Sequence, residues 1–286
     1  MNNEKVKIIE CPRDAMQGIH DFIPTQNKAR YINTLLKVGY HTIDFGSFVS
    51  PKAIPQMRDT AEVLKLLNLD QSESKLLAIA ANYRGAEDAC AFDEISYIGF
   101  PFSVSETFQM RNTNKTIEQS LNSVENIKNL VSKSNKELVV YLSMAFGNPY
   151  GEPWNIDLVA KWAEKIADLG VTTIALSDTI GVSQKESIQY LFSNLIPAFP
   201  EVEFGAHLHS RKETWREKVM ASFEAGCRRF DSAIKGLGGC PMAKDDLIGN
   251  LPTEKLLSYM TEKRVQTNLN PLMFESAYNA ALNIFV

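Results

Sequence analysis

The sequence predicts an α/β fold in which eight β-strands alternate with eight helices, that is, a TIM (β/α)8 barrel. Apolar strand-like runs alternate with helical periodicity along almost the whole chain. The length of 286 residues suits such a barrel, and no low-complexity linker interrupts the sequence. We therefore expect a single domain over residues 1–286. A doubly wound open sheet is the alternative, but it usually has fewer units and a nucleotide fingerprint that this sequence lacks.

The first four strand–helix units are defined by apolar runs and by residues that end helices. Residues 76–81 form a continuous apolar run, which is typical of a strand covered on both faces. Gly39 is placed to end the first helix, because glycine commonly follows the last helical turn. The predicted strands cover residues 6–10, 41–48, 76–81 and 94–102. The predicted helices cover residues 26–38, 58–67, a short segment after Gly85, and 117–131.

The last four units carry clearer helix signals. Asn155 caps an amphipathic helix that Gly170 ends, and Pro252 suits the first turn of the eighth helix. The predicted strands cover residues 138–146, 172–177, 204–209 and 229–234. The sixth helix covers residues 185–195, and the seventh buries a stripe of Trp215, Val219 and Phe223. Residues 270–286 are predicted as an extra C-terminal helical segment.

The composition indicates an ordinary globular protein of the cytoplasm. Apolar residues make up 44% of the chain and charged residues 22%, with a net charge of −4 and no basic stripe, which argues against a nucleic-acid partner. No apolar run reaches the length of a membrane helix, and the N-terminus is no signal peptide. The four cysteines are widely spaced, so we expect reduced thiols rather than a disulfide framework.

Two of the four histidines occur together in the seventh predicted strand. Residues i and i+2 of a strand point to the same face, so His207 and His209 present two imidazoles about 7 Å apart along the backbone. This is a spacing suited to metal ligands, although two such histidines can also be satisfied polar residues at a strand end. His20 and His41 have no comparable surroundings, and we interpret both as structural or surface residues.

Further polar residues fall at the carboxyl ends of the predicted strands, where this architecture places its active sites. They are Arg13, Asp14, Asp44, Ser47, Asp178, His207 and His209, followed by the glycine-rich loop at residues 235–241 and by Asn250. Each has a structural alternative: Asp14 and Asp178 can cap turns, and Asn250 can precede a helix. Their joint placement favours one shared site.

The type of residue in this set indicates the chemistry. Two imidazoles with a carboxylate and a carboxamide oxygen favour an octahedral divalent ion such as Mg²⁺ or Mn²⁺ over a thiolate zinc site. Cys240 can be a buried filler or a mobile acid/base, and the three glycines close before it favour the functional interpretation. The loop lacks the Lys-Ser/Thr ending of a nucleotide-binding P-loop.

Seven segments together resemble the 3-hydroxy-3-methylglutaryl-CoA lyase family, within a superfamily of metal-dependent TIM-barrel lyases and condensing enzymes. They are residues 12–17, 47–52, 55–57, 177–182, 207–209, 236–241 and 249–251. The Gly-Leu-Gly-Gly-Cys-Pro loop at 236–241 is the most specific, because the Arg-Asp and His-x-His pieces also occur in related synthases. Those synthases look longer, with additional C-terminal regions.

The resemblance implies a metal site and a substrate site. The implied ligands of a divalent metal, Mg²⁺ or Mn²⁺, are Asp14, His207, His209 and Asn250. Arg13 would face the thioester carbonyl of an acyl-CoA substrate, with Gln17 and Ser47 as further substrate contacts. We also expect a homodimer or another homo-oligomer. Leucine degradation is the implied pathway.

The implied reaction is the cleavage of 3-hydroxy-3-methylglutaryl-CoA into acetoacetate and acetyl-CoA by a reverse Claisen reaction. Asp14 is the first candidate for the group that takes the proton of the C3 hydroxyl, and His207 is the second. Arg13 would stabilise the enolate that departs, and Cys240 would protonate it. Asp44 and Asp178 complete the predicted catalytic set.

The sequence also departs from the family pattern. Asp44 stands where the family typically has Glu, and residues 210–213 read Ser-Arg-Lys-Glu where it usually has Asp-Thr-Tyr-Gly. The segment from Cys240 to Asn250 looks one residue longer. These changes bear on the acyl group that is accepted. The alternatives are a lyase for another branched 3-hydroxyacyl-CoA, a condensing transferase for acetyl-CoA and a 2-oxo acid, and a non-catalytic metal- or acyl-CoA-binding barrel.

Overall fold

The computed structural model, which describes residues 5–239 and 248–285, contains a closed barrel of eight parallel strands. Each strand pairs with the next along the chain, and the first pairs with the last. The strands are β1 Lys7–Glu10, β2 Thr42–Ser47, β3 Lys75–Ile79, β4 Ile95–Ser103, β5 Glu137–Ser143, β6 Thr173–Asp178, β7 Glu203–Leu208 and β8 Arg229–Ser232. The predicted TIM barrel is confirmed.

Helices surround the barrel and connect consecutive strands. They are α1 Pro12–Gln17, α2 Thr25–Leu36, α3 Thr60–Leu64, α4 Tyr83–Cys90, α5 Glu106–Thr113, α6 Ile117–Lys133, α7 Ile156–Asp168, α8 Lys185–Ala198, α9 Trp215–Glu224, α10 Thr253–Glu262 and α11 Pro271–Ile284. Two 3-10 turns cover Pro55–Met57 and Ile234–Gly236. The helix α11 is the predicted extra segment and packs against α2.

The helix boundaries follow from local capping. The Thr116 hydroxyl accepts a hydrogen bond from the Gln119 N–H, and the Gln119 side chain accepts one from the Thr116 N–H, which together satisfy two free donors at the start of α6. The Asn155 side chain caps α7 in the predicted way. Gly170 follows α7 with φ +80°, a backbone conformation that favours glycine.

Several elements differ from the predictions. The short helices α1 and α5 were not predicted, because α1 begins at Pro12 directly after a strand and α5 has no apolar stripe. The helix α4 begins before Gly85 rather than after it, since the Asn82 side chain accepts a hydrogen bond from the Gly85 N–H and so caps the helix upstream. The strand β5 ends at Ser143 because Met144 adopts φ +59°.

The buried apolar residues that the structure describes form three clusters, the smallest of which contains Met16, Ile23 and Met57. Apolar side chains on the outer faces of the strands pack against the helices and form the largest cluster. A smaller cluster of Leu77, Val139, Tyr141 and Ala175 fills the barrel interior. The interior carries polar groups as well, since β7 and β8 pair with His207 opposite Asp231. Within the described residues, none of the helices is both long and apolar enough to span a membrane.

Candidate active site

A cavity of about 400 Å³ lies at the carboxyl ends of the strands. Six of the predicted site residues line it: Arg13, Asp14, Gln17, Ser47, His207 and His209. Asp44, Asp178 and Asn250 are buried close to them. Cys240 lies outside the described residues. The structure therefore brings nine of the ten predicted residues to one end of the barrel.

Arg13 is the centre of the polar network on one side of the cavity. Its guanidinium donates to Asp44 Oδ2 from Nε at 3.0 Å and from Nη2 at 2.5 Å. Its Nη1 donates to Asp14 Oδ1 at 2.9 Å and to Gln17 Oε1 at 3.0 Å. The short helix α1 makes this possible, because residues 13 and 17 are one turn apart and share a helix face. Arg13 is thus fixed in one orientation beside Asp14.

Burial and charge act against each other in this network. Burial disfavours the charged guanidinium, but Asp44 and Asp14 outweigh it and raise the pKa of Arg13 above its ordinary value. Burial raises the pKa of Asp44 to about 6, although Arg13 favours the carboxylate. For Asp14, burial is outweighed by Arg13 and by the two histidines, which lower its pKa. Asp14 is therefore a carboxylate at neutral pH.

The two histidines use Nδ1 to hold their rings. His207 Nδ1 lies 3.1 Å from Asp231 Oδ2, and His209 Nδ1 donates to the Thr179 carbonyl at 3.0 Å. The ring centroids lie 5.4 Å apart. His209 Nε2 is buried without a hydrogen-bond partner among the described residues. A buried nitrogen of this kind is available to bind a ligand, since leaving it unpaired is costly.

The pKa values of the two imidazoles are shifted in opposite directions. Burial lowers the pKa of His209 to about 4, and the neighbouring His207 adds to this effect. Burial also acts against the charged form of His207, but Asp231 outweighs it and raises the pKa of that ring. His209 is consequently neutral at pH 7 and has a lone pair available on Nε2.

Asp14, His207 and His209 could hold a metal ion. One ligand atom from each lies within 4.8 Å of the others, and all three residues are buried. The Asn250 side chain adjoins this group, because its Nδ2 donates to Asp14 Oδ2 at 2.6 Å and to the Leu237 carbonyl at 2.8 Å. A carboxylate and two imidazoles fit a divalent ion, and the unpaired Nε2 of His209 supplies a nitrogen donor for it.

Asp44 and Asp178 support other residues rather than lining the cavity. Asp44 contacts Arg13 as described. Asp178 Oδ1 accepts from the Val182 N–H at 2.8 Å, and its Oδ2 accepts from Ser183 and from Lys218 Nζ. The predicted catalytic roles of both aspartates stay predictions, but their contacts favour positioning.

Some residues of the site were missed by the sequence analysis. They are Asp231, Thr179, Lys218 and Tyr141. Residues 111–114, at the end of α5, were also missed, and they line the cavity. Strand alternation contained a signal for Asp231. It lies two residues after Arg229 in the buried strand β8, so two charged side chains lie on the same face of that strand. His20 is fully exposed, and His41 is half-buried against Tyr97, so neither belongs to the site.

Comparisons with known proteins identify the family of this chain. A model of the HMGL-like family matches residues 5–279. Hydroxymethylglutaryl-CoA lyase YngG of Bacillus subtilis is 31% identical over 275 residues, covering 93% of this chain and 88% of that protein. The mitochondrial hydroxymethylglutaryl-CoA lyase of Rattus norvegicus is 32% identical over 270 residues, covering 93% and 82%. One solved structure is an HMG-CoA lyase of Acinetobacter baumannii in complex with coenzyme A and 3-methylmalate. It superposes on this chain with a TM-score of 0.92 at 28% identity, covering 99% of this chain and 92% of that chain. The chain therefore belongs to the HMGL-like family.

Proposed function

We propose that this protein is a divalent-metal-dependent carbon–carbon lyase that cleaves 3-hydroxy-3-methylglutaryl-CoA into acetoacetate and acetyl-CoA. The observation that carries the proposal is the joint placement of Arg13, Asp14, His207 and His209 around one cavity. Relatives that cover most of the chain are hydroxymethylglutaryl-CoA lyases, and one of them binds coenzyme A.

The reaction begins with removal of the proton on the C3 hydroxyl. Of the two candidate bases, Asp14 fits the proposed metal site better than His207. His207 Nδ1 lies against Asp231, so Nε2 is the one nitrogen left to hold the ion, and the ring then has no lone pair for a proton. The Asp14 carboxylate has two oxygens, so one can hold the ion while the other accepts the proton, although its lowered pKa makes it a weak base. Asp14, His207, His209 and Asn250 would hold a divalent ion, Mg²⁺ or Mn²⁺, which supplies Lewis-acid polarisation of the substrate oxygens.

The bond between C2 and C3 then breaks, and the electron pair moves onto the acetyl-CoA fragment as an enolate. The fixed guanidinium of Arg13 is placed at the cavity wall to stabilise this negative charge. A proton must finally reach the enolate carbon, and we assign this step to Cys240. Ser47 Oγ is buried without a partner among the described residues, which suits the predicted substrate contact.

The test is acetoacetate release from 3-hydroxy-3-methylglutaryl-CoA with added Mg²⁺ or Mn²⁺, compared among the wild type, His207→Ala, Cys240→Ala and His20→Ala. We expect metal-dependent turnover that falls at least about 10³-fold in the first two variants. His20→Ala should be unchanged, because that side chain is fully exposed. Wild-type protein that binds metal but releases no acetoacetate would contradict the substrate assignment.

The acyl-group specificity is a second question for the same assay. The Ser-Arg-Lys-Glu segment at residues 210–213 differs from the family pattern, so other branched 3-hydroxyacyl-CoA esters should be run in parallel. Consumption of acetyl-CoA with 2-oxo acids would instead indicate a condensing transferase. The homo-oligomer and the cytoplasmic location also stay predictions. Light scattering and cell fractionation test them.

A further inference from the structure

Lys218 is a buried lysine next to the candidate metal ligands. It lies in α9, and only 2% of it is exposed. Its Nζ donates to Asp178 Oδ2 at 2.5 Å and to the main-chain carbonyl of His209 at 2.9 Å. A lysine is almost never fully buried unless it is paired, so these two contacts account for its position. One of the two partners is the backbone of a metal-ligand candidate.

Asp178 links Lys218 to the other side of His209. Its carboxylate accepts hydrogen bonds from the N–H groups of Val182 and Ser183, and so closes the turn that follows β6. Thr179 lies in this turn, and its carbonyl accepts the hydrogen bond of His209 Nδ1. The backbone of His209 is therefore held directly by Lys218, and its ring is held by the turn that the Lys218–Asp178 ion pair stabilises.

We propose that Lys218 is a positioning residue that fixes the backbone and the ring tautomer of His209. The tautomer matters because a proton on Nδ1 leaves the lone pair on Nε2, the buried atom without a partner among the described residues. The consequence for metal binding rests on the proposed function, whereas the effect on the tautomer is a property of the metal-free protein.

A purely structural ion pair is the competing explanation, and the chain contains a matched example of one. Lys28 is also 2% exposed, and its Nζ contacts Asp59 at 2.6 Å and the main-chain carbonyl of Gln56. Neither Lys28 nor Asp59 lines the cavity within the described part of the chain. Lys28→Met therefore removes a buried ammonium of the same kind without touching a metal-ligand candidate.

The experiment compares Lys218→Met with Lys28→Met in the full chain. Long-range ¹H–¹⁵N spectra of the metal-free protein report the tautomer of each of the four histidines. We expect His209 to carry its proton on Nδ1 in the wild type and in Lys28→Met, and to become a mixture of tautomers in Lys218→Met. Mn²⁺ titration should show at least tenfold weaker binding in Lys218→Met than in the wild type, and unchanged binding in Lys28→Met. An unchanged His209 tautomer in Lys218→Met would overturn the proposal.

A double variant separates positioning from folding. Lys218→Met alone leaves a buried carboxylate without its partner, which is destabilising. Lys218→Met with Asp178→Asn removes both charges, so the thermal midpoint should recover while the altered His209 tautomer persists. If the double variant regains the wild-type tautomer, Lys218 has only a structural role and the proposal is wrong. A wild type with the expected tautomer but no Mn²⁺ binding would instead contradict the metal site of the proposed function.

Discussion

Arg13 shows at the residue scale why the type of cation matters. Its planar guanidinium contacts Asp44, Asp14 and Gln17 at once from three different nitrogens. An ammonium at the end of a flexible chain cannot reproduce this fork, because its donors radiate from a single atom. Arg13 therefore supplies a positive charge and also fixes the position of Asp14 through a hydrogen bond.

Arg13→Lys should lower kcat by at least about 10²-fold, because the positive charge is kept but its position at the developing enolate is lost. KM should change much less, since a group that acts mainly in the transition state contributes little to ground-state binding. Steady-state kinetics with saturating metal provide the measurement. A change confined to KM would show that Arg13 binds the substrate instead of stabilising the enolate.

Asp231 is a second residue whose effect can be isolated. Burial alone lowers the pKa of an imidazole, and the pKa of His207 is raised because Asp231, with a further contribution from Asp14, outweighs burial. In metal-free Asp231→Asn, the pKa of His207 should therefore fall below the ordinary value of a histidine. An NMR titration of the ring measures this directly. A pKa that stays raised in the variant would mean that another group, such as Asp14, stabilises the imidazolium.

At the scale of elements, the close approach of Gly238, which follows β8, to α1 shapes the site. A Cβ atom on Gly238 would lie 2.5 Å from the Asp14 carbonyl oxygen and 2.8 Å from Ala15 Cα, and Gly238 has φ +89°. Gly238 thus approaches the backbone of a metal-ligand candidate more closely than any residue with a side chain allows.

Gly238→Ala should weaken Mn²⁺ binding at least tenfold, because residue 238 or Asp14 must move to admit the methyl group. Gly151→Ala is the matched control, since Gly151 also has a positive φ of +71° but a Cβ there meets nothing within 4 Å. Both variants carry the backbone cost of about 1 kcal/mol, and only Gly238→Ala carries the clash. Isothermal titration of both with Mn²⁺ gives the comparison. If the two variants bind Mn²⁺ with equal affinity, the close contact between Gly238 and Asp14 does not affect metal binding.

The elements that the sequence revealed are those with strong periodicity. The buried strands and the long amphipathic helices such as α6 and α7 were predicted to within a few residues. The two short helices were not, because α1 and α5 are too short or too polar to show an apolar stripe. Both nevertheless contribute to the cavity wall, through Arg13 in α1 and Arg111 in α5.

At the scale of the whole molecule, barrel topology explains which parts of the site were predictable. The carboxyl ends of all eight strands meet at one end of the barrel, so residues 14, 47, 178 and 207 converge whatever their side chains do. Their partners depend on the register of neighbouring strands and on helix packing. Asp231 faces His207 through the β7–β8 register, and Lys218 reaches Asp178 from α9. The pattern of a single sequence does not show that Asp231 pairs with His207 or that Lys218 pairs with Asp178.

Glu10 connects the two ends of the β8–α10 segment to β1 and so affects the stability of the whole fold. It is completely buried. Its Oε1 accepts a hydrogen bond from the Ile234 N–H at 2.8 Å, and its Oε2 contacts the Thr253 hydroxyl at 2.7 Å. Burial raises the pKa of Glu10 from 4.5 to about 8, although these hydrogen bonds favour the carboxylate.

The contribution of Glu10 to the free energy of unfolding should therefore decrease as the pH rises from about 4.5 to about 8. Over this range the unfolded chain loses the Glu10 proton while the folded protein retains it. Because the unfolded state binds fewer protons, a rise in pH favours the unfolded state over the folded one. Glu10→Gln resembles the protonated acid and should remove this decrease, which is on the order of a few kcal/mol. Urea unfolding of both proteins at pH 5, 6.5 and 8 isolates the contribution of Glu10, because all other titrating groups are shared. Stability differences that stay constant across the three pH values would show that Glu10 titrates normally, and that its contacts with Ile234 and Thr253 hold a carboxylate.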